Sequence, residues 1–241
     1  MKYYELHENF WQQLEKQGHI SWDREKKTEL MSRSRNDEIM NFLGSRRSGS
    51  VLDLGCGSGS QSLYLSKLGF KCTGLDISST AISIGKKLAS DLNLEIELLC
   101  GDACSFDLKK TFDIITDSCL LHCIVTDIDR AHFYDCVKSH LDSNGRFFIY
   151  TMIRDGSPYL TGDRGDLHLD DDGILWSMGP DSFDVEWTEI NGNKYFPHRR
   201  VLTEDAQRDE LIKNGFVIEG EKVTKGEDGS SPLFIAWLKK V

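Results

Sequence analysis

The run Val51-Leu-Asp-Leu-Gly-Cys-Gly-Ser-Gly-Ser60 places glycines at 55, 57 and 59 between an apolar stretch and a helix-forming one. Glycines so placed let a ligand lie directly against the main chain, because they adopt backbone angles closed to other residues. The spacing is GxGxG. A dinucleotide loop of the GxGxxG type would want glycine at 60, where Ser60 stands. Asp53, just before the loop, gives nothing to a pyrophosphate but would favour a cationic ligand. A second acid, Asp76 in Gly-Leu-Asp-Ile-Ser, closes the next apolar stretch, where a carboxylate can accept both hydroxyls of a ribose. A third, Asp102 in Gly101-Asp102-Ala103, follows the stretch after that and can reach an adenine amino group. An acid closing a strand is commonly a simple cap. Three such acids in register are hard to explain as caps.

The elements that must position these residues alternate regularly. Strands are expected at Val51–Leu54, Lys71–Ile77, Glu95–Cys100, Phe112–Asp117 and Arg146–Ile153. Helices are expected at Gln61–Leu68, at Ser79 to about Leu92 and at about Asp129 to Leu141. Strands alternating with helices imply parallel pairing and right-handed crossovers, and near-continuous apolar strands imply a sheet covered on both faces. Ahead of this core, Glu5–Gln17 and Lys26–Leu43 read as amphipathic helices. Behind it, a helix at Glu204–Asn214 leads to strands at Phe216–Val223 and Leu233–Leu238, whose short connection requires an antiparallel pair. The expected division is an N-terminal helical lid (1–45), a ligand-binding core (46–153), an insertion covering the substrate (154–201), and a C-terminal helix and hairpin completing the sheet (202–241).

The segment from Val51 to about Ile153 resembles the core of class I S-adenosylmethionine-dependent methyltransferases. The glycine run is similar to their first motif, Asp76 to the ribose-binding acid and Gly-Asp-Ala to the adenine-binding position. Leu141-Asp-Ser-Asn-Gly-Arg resembles their entry to the fifth strand, with Ser143-Asn144-Gly145 replacing the usual Pro-Gly-Gly. The resemblance implies an α/β fold: a Rossmann-like three-layer sandwich around a seven-stranded, mostly parallel sheet of order 3-2-1-4-5-7-6, strand 7 antiparallel. It implies S-adenosyl-L-methionine as cofactor. The loop residues Gly55, Cys56, Gly57 and Gly59 would approach its methionine part, Asp53 would support its ammonium group, and Ile77 would flank the adenine beside Asp102 and Ala103. Asp117 or Ser118 would line the methionine end.

Asp117-Ser-Cys-Leu-Leu-His122-Cys follows the fourth strand, where that family puts its reaction centre. The segment looks like the Leu-His stretch of small-molecule methyltransferases, including those acting on thiols, halides or tellurite. His122 can accept a proton from a hydroxyl or amine nucleophile, or it can pack under the loop and hold it by a hydrogen bond. No base is strictly required, since methyl transfer from a good leaving group draws its rate from alignment and exclusion of water. Cys100 with Cys104, and Cys119 with Cys123, suggest zinc by their CxxxC spacing. Structural zinc pairs are more often closer, and buried thiols account for these positions, so no metal is expected. Asp170, Asp171 and Asp172, with Asp163 and Asp166, read as a solvated acidic loop. Trp176 and Trp187, beside many carboxylates, suit a cationic amine through cation–π contact, or they form a small core of the insertion. Tyr3, Tyr4, Phe10, Trp11 and Trp22 belong either to a lid or to helix docking.

Bulk properties narrow the partners. Over 241 residues, 39 acidic against 29 basic side chains give a net charge of −10. That balance opposes nucleic-acid binding, which draws on cations neutralising phosphates. No stretch approaches a membrane span, the start lacks the apolar run of a signal peptide, and seven cysteines fit free thiols in the cytoplasm. The expectation is a methyltransferase acting on a small-molecule acceptor, monomeric or homodimeric. The rivals are a methyltransferase of protein side chains or termini, a non-catalytic S-adenosylmethionine-binding module, and a nicotinamide-dependent oxidoreductase, which the GxGxG spacing and the antiparallel final hairpin disfavour.

Overall fold

The computed structural model describes residues 2–22, 33–155, 166–179, 184–225 and 231–241. A 3-10 turn over Tyr3–Leu6 leads into α1 (His7–Lys16), and α2 (Arg33–Leu43) precedes the core. The core runs β1 (Ser50–Leu54), α3 (Ser60–Lys67), β2 (Lys71–Asp76), α4 (Ser79–Asp91), β3 (Glu97–Cys100), β4 (Phe112–Ser118), a 3-10 turn at Leu121–Cys123, α5 (Asp127–His140) and β5 (Leu141–Met152). Four short strands follow: β6 (Leu167–Leu169), β7 (Ile174–Met178), β8 (Thr188–Ile190) and β9 (Asn193–Arg200). The chain continues through α6 (Glu204–Lys213), β10 (Phe216–Thr224) and β11 (Leu233–Lys240).

The main sheet has the order β3-β2-β1-β4-β5-β11-β10. Counting only its own seven strands, this is the expected 3-2-1-4-5-7-6, with β11 antiparallel to β5. The alternation of side chains along each strand feeds two cores. On one face Leu52, Leu54, Ile115, Phe147 and Ala236 pack with Phe133, Tyr134 and Val137 of α5. On the other, Val51, Ile114, Phe148 and Ile235 pack with Ile39 and Leu43 of α2 and Leu65 of α3. A third cluster joins Trp11 and Leu14 of α1 to Ile84 and Leu88 of α4 and Leu63 of α3. The near-continuous apolar strands are thus explained by coverage on both sides.

Two sequence expectations are refined. Strand β5 starts at Leu141, not Arg146, and the expected Ser143-Asn144-Gly145 turn is an irregularity inside it: Phe112 pairs with Leu141 while Ile114 pairs with Arg146. Local bonding favours it, because the Asp142 carboxylate accepts the Asn144 N–H at 3.1 Å. The insertion forms a separate antiparallel sheet of order β6-β7-β9-β8, with Leu175 and Val201 buried together against Met152. Strand β9 lies against both 3-10 turns, which sets this second sheet over the carboxyl edge of the first. The start of the expected Lys26–Leu43 helix, and Tyr159, Asp163 and Phe183, lie outside the described residues. Among the described residues no helix is long and apolar enough to cross a membrane.

Candidate functional site

The glycine loop turns sharply between β1 and α3. Gly55, Gly57 and Gly59 have φ of 64°, 56° and 77°, a region where side chains are strained. A Cβ on Gly57 would come within 2.7 Å of Trp11, and one on Gly55 within 2.7 Å of Leu120. The loop is pinned to β2 by the Cys56 N–H, which donates to the Leu75 carbonyl at 3.1 Å. Beneath it Asp53 is buried in a polar network. Its carboxylate accepts from Gln61 Nε2 at 3.0 Å, Thr116 Oγ1 at 3.0 Å and Ser62 Oγ at 2.6 Å, and Ser118 Oγ donates to Gln61 Oε1 at 2.6 Å. Burial pushes the Asp53 carboxyl up to about 6 against the pull of those hydroxyls.

Asp76 sits across from this loop at the end of β2. Its two oxygens accept the Gly57 N–H at 2.7 Å and the Ser78 N–H at 2.8 Å, and burial raises its pKa. Asp102 is half-buried and receives Cys104 N–H at 2.8 Å, Tyr4 Oη at 3.1 Å and the Lys2 ammonium at 3.0 Å. Ile77 and Ala103 pack partly buried against the adjoining core. The N-terminal segment therefore runs across all three strand ends. Lys2 and Tyr4 hold Asp102, and Glu8 accepts from Ser78 Oγ and Thr80 Oγ1, each at 2.6 Å, at the start of α4. Trp11 stands over Gly57, and Tyr3 Oη accepts the Val125 N–H at 2.6 Å.

After β4 the chain makes a tight turn fixed by Asp117, whose oxygens accept the N–H groups of Leu120 at 2.7 Å and Leu121 at 2.9 Å. Burial pushes this carboxyl up to about 7 despite those donors. His122 is buried within the turn. Its Nδ1 accepts the Met152 N–H at 3.2 Å and lies 3.2 Å from Thr151 Oγ1. The other ring nitrogen, Nε2, therefore carries the proton, and burial holds the imidazole's pKa well below its usual value. Placed so, the ring donates instead of accepting. Arg130 secures the same turn from below, donating through Nη1 to the Leu121 and Ile124 carbonyls at 2.8 Å each.

The insertion places its tryptophans differently from a cation cage. Trp176 Nε1 donates to Asp170 Oδ2 at 2.8 Å, and the Trp187 ring is covered by the Lys194 ammonium at 4.9 Å. A cationic amine would have to displace the chain's own lysine. Cys100 is exposed, while Cys104 and Cys123 are buried with their thiols held up by burial, Cys104 to about 12. Among the described residues no group of three His, Cys, Asp or Glu is arranged to hold a metal ion.

The site thus brings together the loop, Asp53, Asp76, Ile77, Asp102, Ala103, Asp117, Ser118 and His122 along one sheet edge; Trp176 lies in β7 of the second sheet and Trp187 just ahead of β8. The donor set fits a ligand with a cationic amino-acid end and a ribose. Two buried carboxylates near the loop are held in raised-pKa environments, which a cation would relieve. The Ser58 hydroxyl, buried in the loop, has no hydrogen-bond partner among the described residues. The sequence reading missed Gln61 and Ser62, whose signal was two polar residues on the inner face of the first turn of α3. It also missed Glu8 and Arg130, which act across distances no local pattern reveals.

Residues 51–145 match the family model described as a methyltransferase domain. The chain is 33% identical over 107 residues to a mitochondrial ubiquinone biosynthesis O-methyltransferase of Schizosaccharomyces pombe, covering 43% of this chain and 38% of that protein. It is 31% identical over 93 residues to a 2-heptyl-1-hydroxyquinolin-4(1H)-one methyltransferase of Mycobacteroides abscessus, covering 38% and 41%. The chain thus spans well under two thirds of the length of these relatives. Among solved structures, its fold is similar to the PH0226 protein of Pyrococcus horikoshii OT3, with a TM-score of 0.66 at 21% identity, covering 88% of this chain and 93% of that one. It is also similar to the glycopeptide N-methyltransferase MtfA in complex with S-adenosylmethionine, with a TM-score of 0.60 at 21% identity, covering 86% and 93%.

Proposed function

We propose that this chain, whose residues 51–145 match the methyltransferase-domain model, transfers a methyl group from S-adenosylmethionine to a small-molecule acceptor. The observation that carries the reading is the meeting of the glycine loop and Asp76 at one sheet edge, joined by the 2.7 Å bond from Gly57 N–H to the carboxylate. The cofactor, when bound, supplies an electrophilic sulfonium methyl with a good leaving group. In this reading Asp76 orients the ribose, Ile77, Asp102 and Ala103 bound the adenine, and Gly55, Cys56, Gly57 and Gly59 lie along the methionine part. Asp53 acts through its Gln61 and Ser62 network. Asp117 shapes the methyl end by fixing the turn after β4, and Ser118 by its bond to Gln61. His122 aligns the acceptor through its Nε2–H, and no general base is needed beyond alignment and exclusion of water. The second sheet, seated against the turn that holds His122, supports a closed small-molecule pocket over an open protein groove. The reading includes a monomer or homodimer working in the cytoplasm, without nucleic acid.

The test is titration calorimetry with S-adenosylhomocysteine, with NAD as control and Asp76→Ala alongside. Binding is expected for the wild type, weakened at least about tenfold in the variant by loss of charge-assisted bonds, and absent for NAD. Binding of NAD, or of neither ligand, sinks the proposal.

A further inference from the structure

We propose that Arg199, beside His198 at the end of β9 that packs against the turn holding His122, binds an anionic oxygen group of the methyl acceptor, so that the substrate class is a small molecule bearing a carboxylate or similar oxyanion. This rests on the methyltransferase reading above and names the acceptor side of the same site.

The placement comes from a defect in β9. Trp176 pairs with Pro197, yet its neighbour Leu175 pairs with Arg199, so His198 is an extra residue bulged from the strand. A bulge of this kind re-aims the side chains after it. Arg199 comes into register with Leu175, a buried residue, and not with the Trp176 row. Strand β9 lies against both 3-10 turns, one entering α1 at His7 and the other containing His122. The next residue, Arg200, donates through Nη1 to the Val125 carbonyl at 3.3 Å, so this end of β9 lies beside the turn after β4, and the charge of Arg199 adds to the lowering of the His7, His122 and His198 pKa values.

Among the described residues, Arg199 has no counter-ion. Its Nη1 donates to the His198 carbonyl at 2.8 Å and lies 3.5 Å from His198 Nδ1. No carboxylate of a described residue forms an ion pair with it. Its neighbours contrast: Arg200 reaches Asp127 at 3.3 Å, and Arg208 is held by Glu204, Asp205 and Glu221. In a chain of net charge −10, a half-buried arginine left to imidazoles is unusual. The other charged groups facing this region are already engaged. Arg130 is paired with Glu210, and Asp117 is capped by two N–H groups.

The imidazoles around Arg199 are donors without charge. Burial, followed by the charge of Arg199, pushes His7 and His198 down to about 3, so both are neutral at pH 7. His198 nevertheless keeps solvent-exposed surface and His7 is only half-buried, so a ligand can reach them. One fixed positive charge among neutral N–H donors suits an oxyanion and repels an ammonium group. It also reverses the cationic-amine expectation attached to Trp176 and Trp187.

The experiment uses three matched phenols, 4-hydroxybenzoate, 4-hydroxybenzamide and tyramine, titrated into the protein saturated with S-adenosylhomocysteine. The carboxylate is expected to bind at least about tenfold tighter than the amide, and tyramine more weakly than either. Arg199→Gln is expected to abolish that preference while leaving S-adenosylhomocysteine affinity within about twofold, and Arg199→Lys to retain part of it. Imidazole NMR supplies an independent readout. The carboxylate should raise the His198 and His7 pKa by about one pH unit, as should Arg199→Gln without ligand. Equal affinity for the three phenols, a preference for tyramine, or no binding of 4-hydroxybenzoate at millimolar concentration overturns the proposal. So does a preference that survives in Arg199→Gln. Failure to bind S-adenosylhomocysteine at all would instead remove the underlying methyltransferase reading.

Discussion

On the proposed reading, Asp53 is a residue prepared for a ligand at a cost to the stability of the fold. Its folded-state pKa of about 6 lies above the ordinary value of 3.8, so ionisation opposes folding. The carboxyl's favourable contribution is complete below about pH 4 and is lost as pH rises through about 6, a swing of about 3 kcal/mol between those limits. The near-isosteric Asp53→Asn removes this dependence. Urea denaturation should therefore find the variant gaining on the wild type as pH rises from 4 to 7, while its affinity for S-adenosylmethionine falls about tenfold. A stability difference constant with pH would refute the assignment. The acids at 53, 76 and 102 were legible because each closes an apolar strand. The partners of Asp53 were not, because Gln61 and Ser62 come from α3 and Thr116 from β4, and they meet only when β1 and β4 pair.

Among the elements, α6 does more than complete the sheet. Its Glu210 accepts from Arg130 Nε at 2.6 Å, Arg130 Nη2 at 2.5 Å and Tyr134 Oη at 2.9 Å. Arg130 in turn grips the two carbonyls of the turn that contains His122. Arg130 is only 2% exposed. Glu210→Gln leaves this buried cation without its counter-charge and is expected to destabilise the fold by about 3–5 kcal/mol. The paired replacement Arg130→Met with Glu210→Met should recover much of that loss. A thermal-unfolding series comparing wild type, single and double variants decides it; a single variant within about 0.5 kcal/mol of wild type would show that the pair does not hold the turn. The core strands were readable as apolar runs of the right length. The second sheet was not, because β9 reads Asn-Lys-Tyr-Phe-Pro-His-Arg-Arg, where charge and proline mask a strand that pairs on both sides.

Across the whole molecule, the segment from Lys2 to Trp11 ties the ends of β1, β2 and β3 together through side chains far apart in sequence. Because Trp11 touches the glycine loop, S-adenosylhomocysteine is expected to change tryptophan emission. Trp11→Phe should remove most of that change while Trp187→Phe should not; an unaltered signal in Trp11→Phe would place the segment away from the ligand. The overall sheet order was recoverable from the alternation of elements and the short final connection. The strap was not, since its helix reads as a generic amphipathic surface and only Glu8, Tyr4 and Lys2 reveal what it crosses. A segment fastened to Asp102, Ser78 and Thr80 in this way also imposes a sequence of events. On the proposed reading, a nucleoside held under this segment would enter and leave only when Lys2, Tyr4 and Glu8 release Asp102, Ser78 and Thr80, so acceptor and methylated product would exchange while it stays. Turnover would then be ordered, the demethylated nucleoside would compete with its own precursor, and the rate of that release would set a ceiling on catalysis shared by every acceptor.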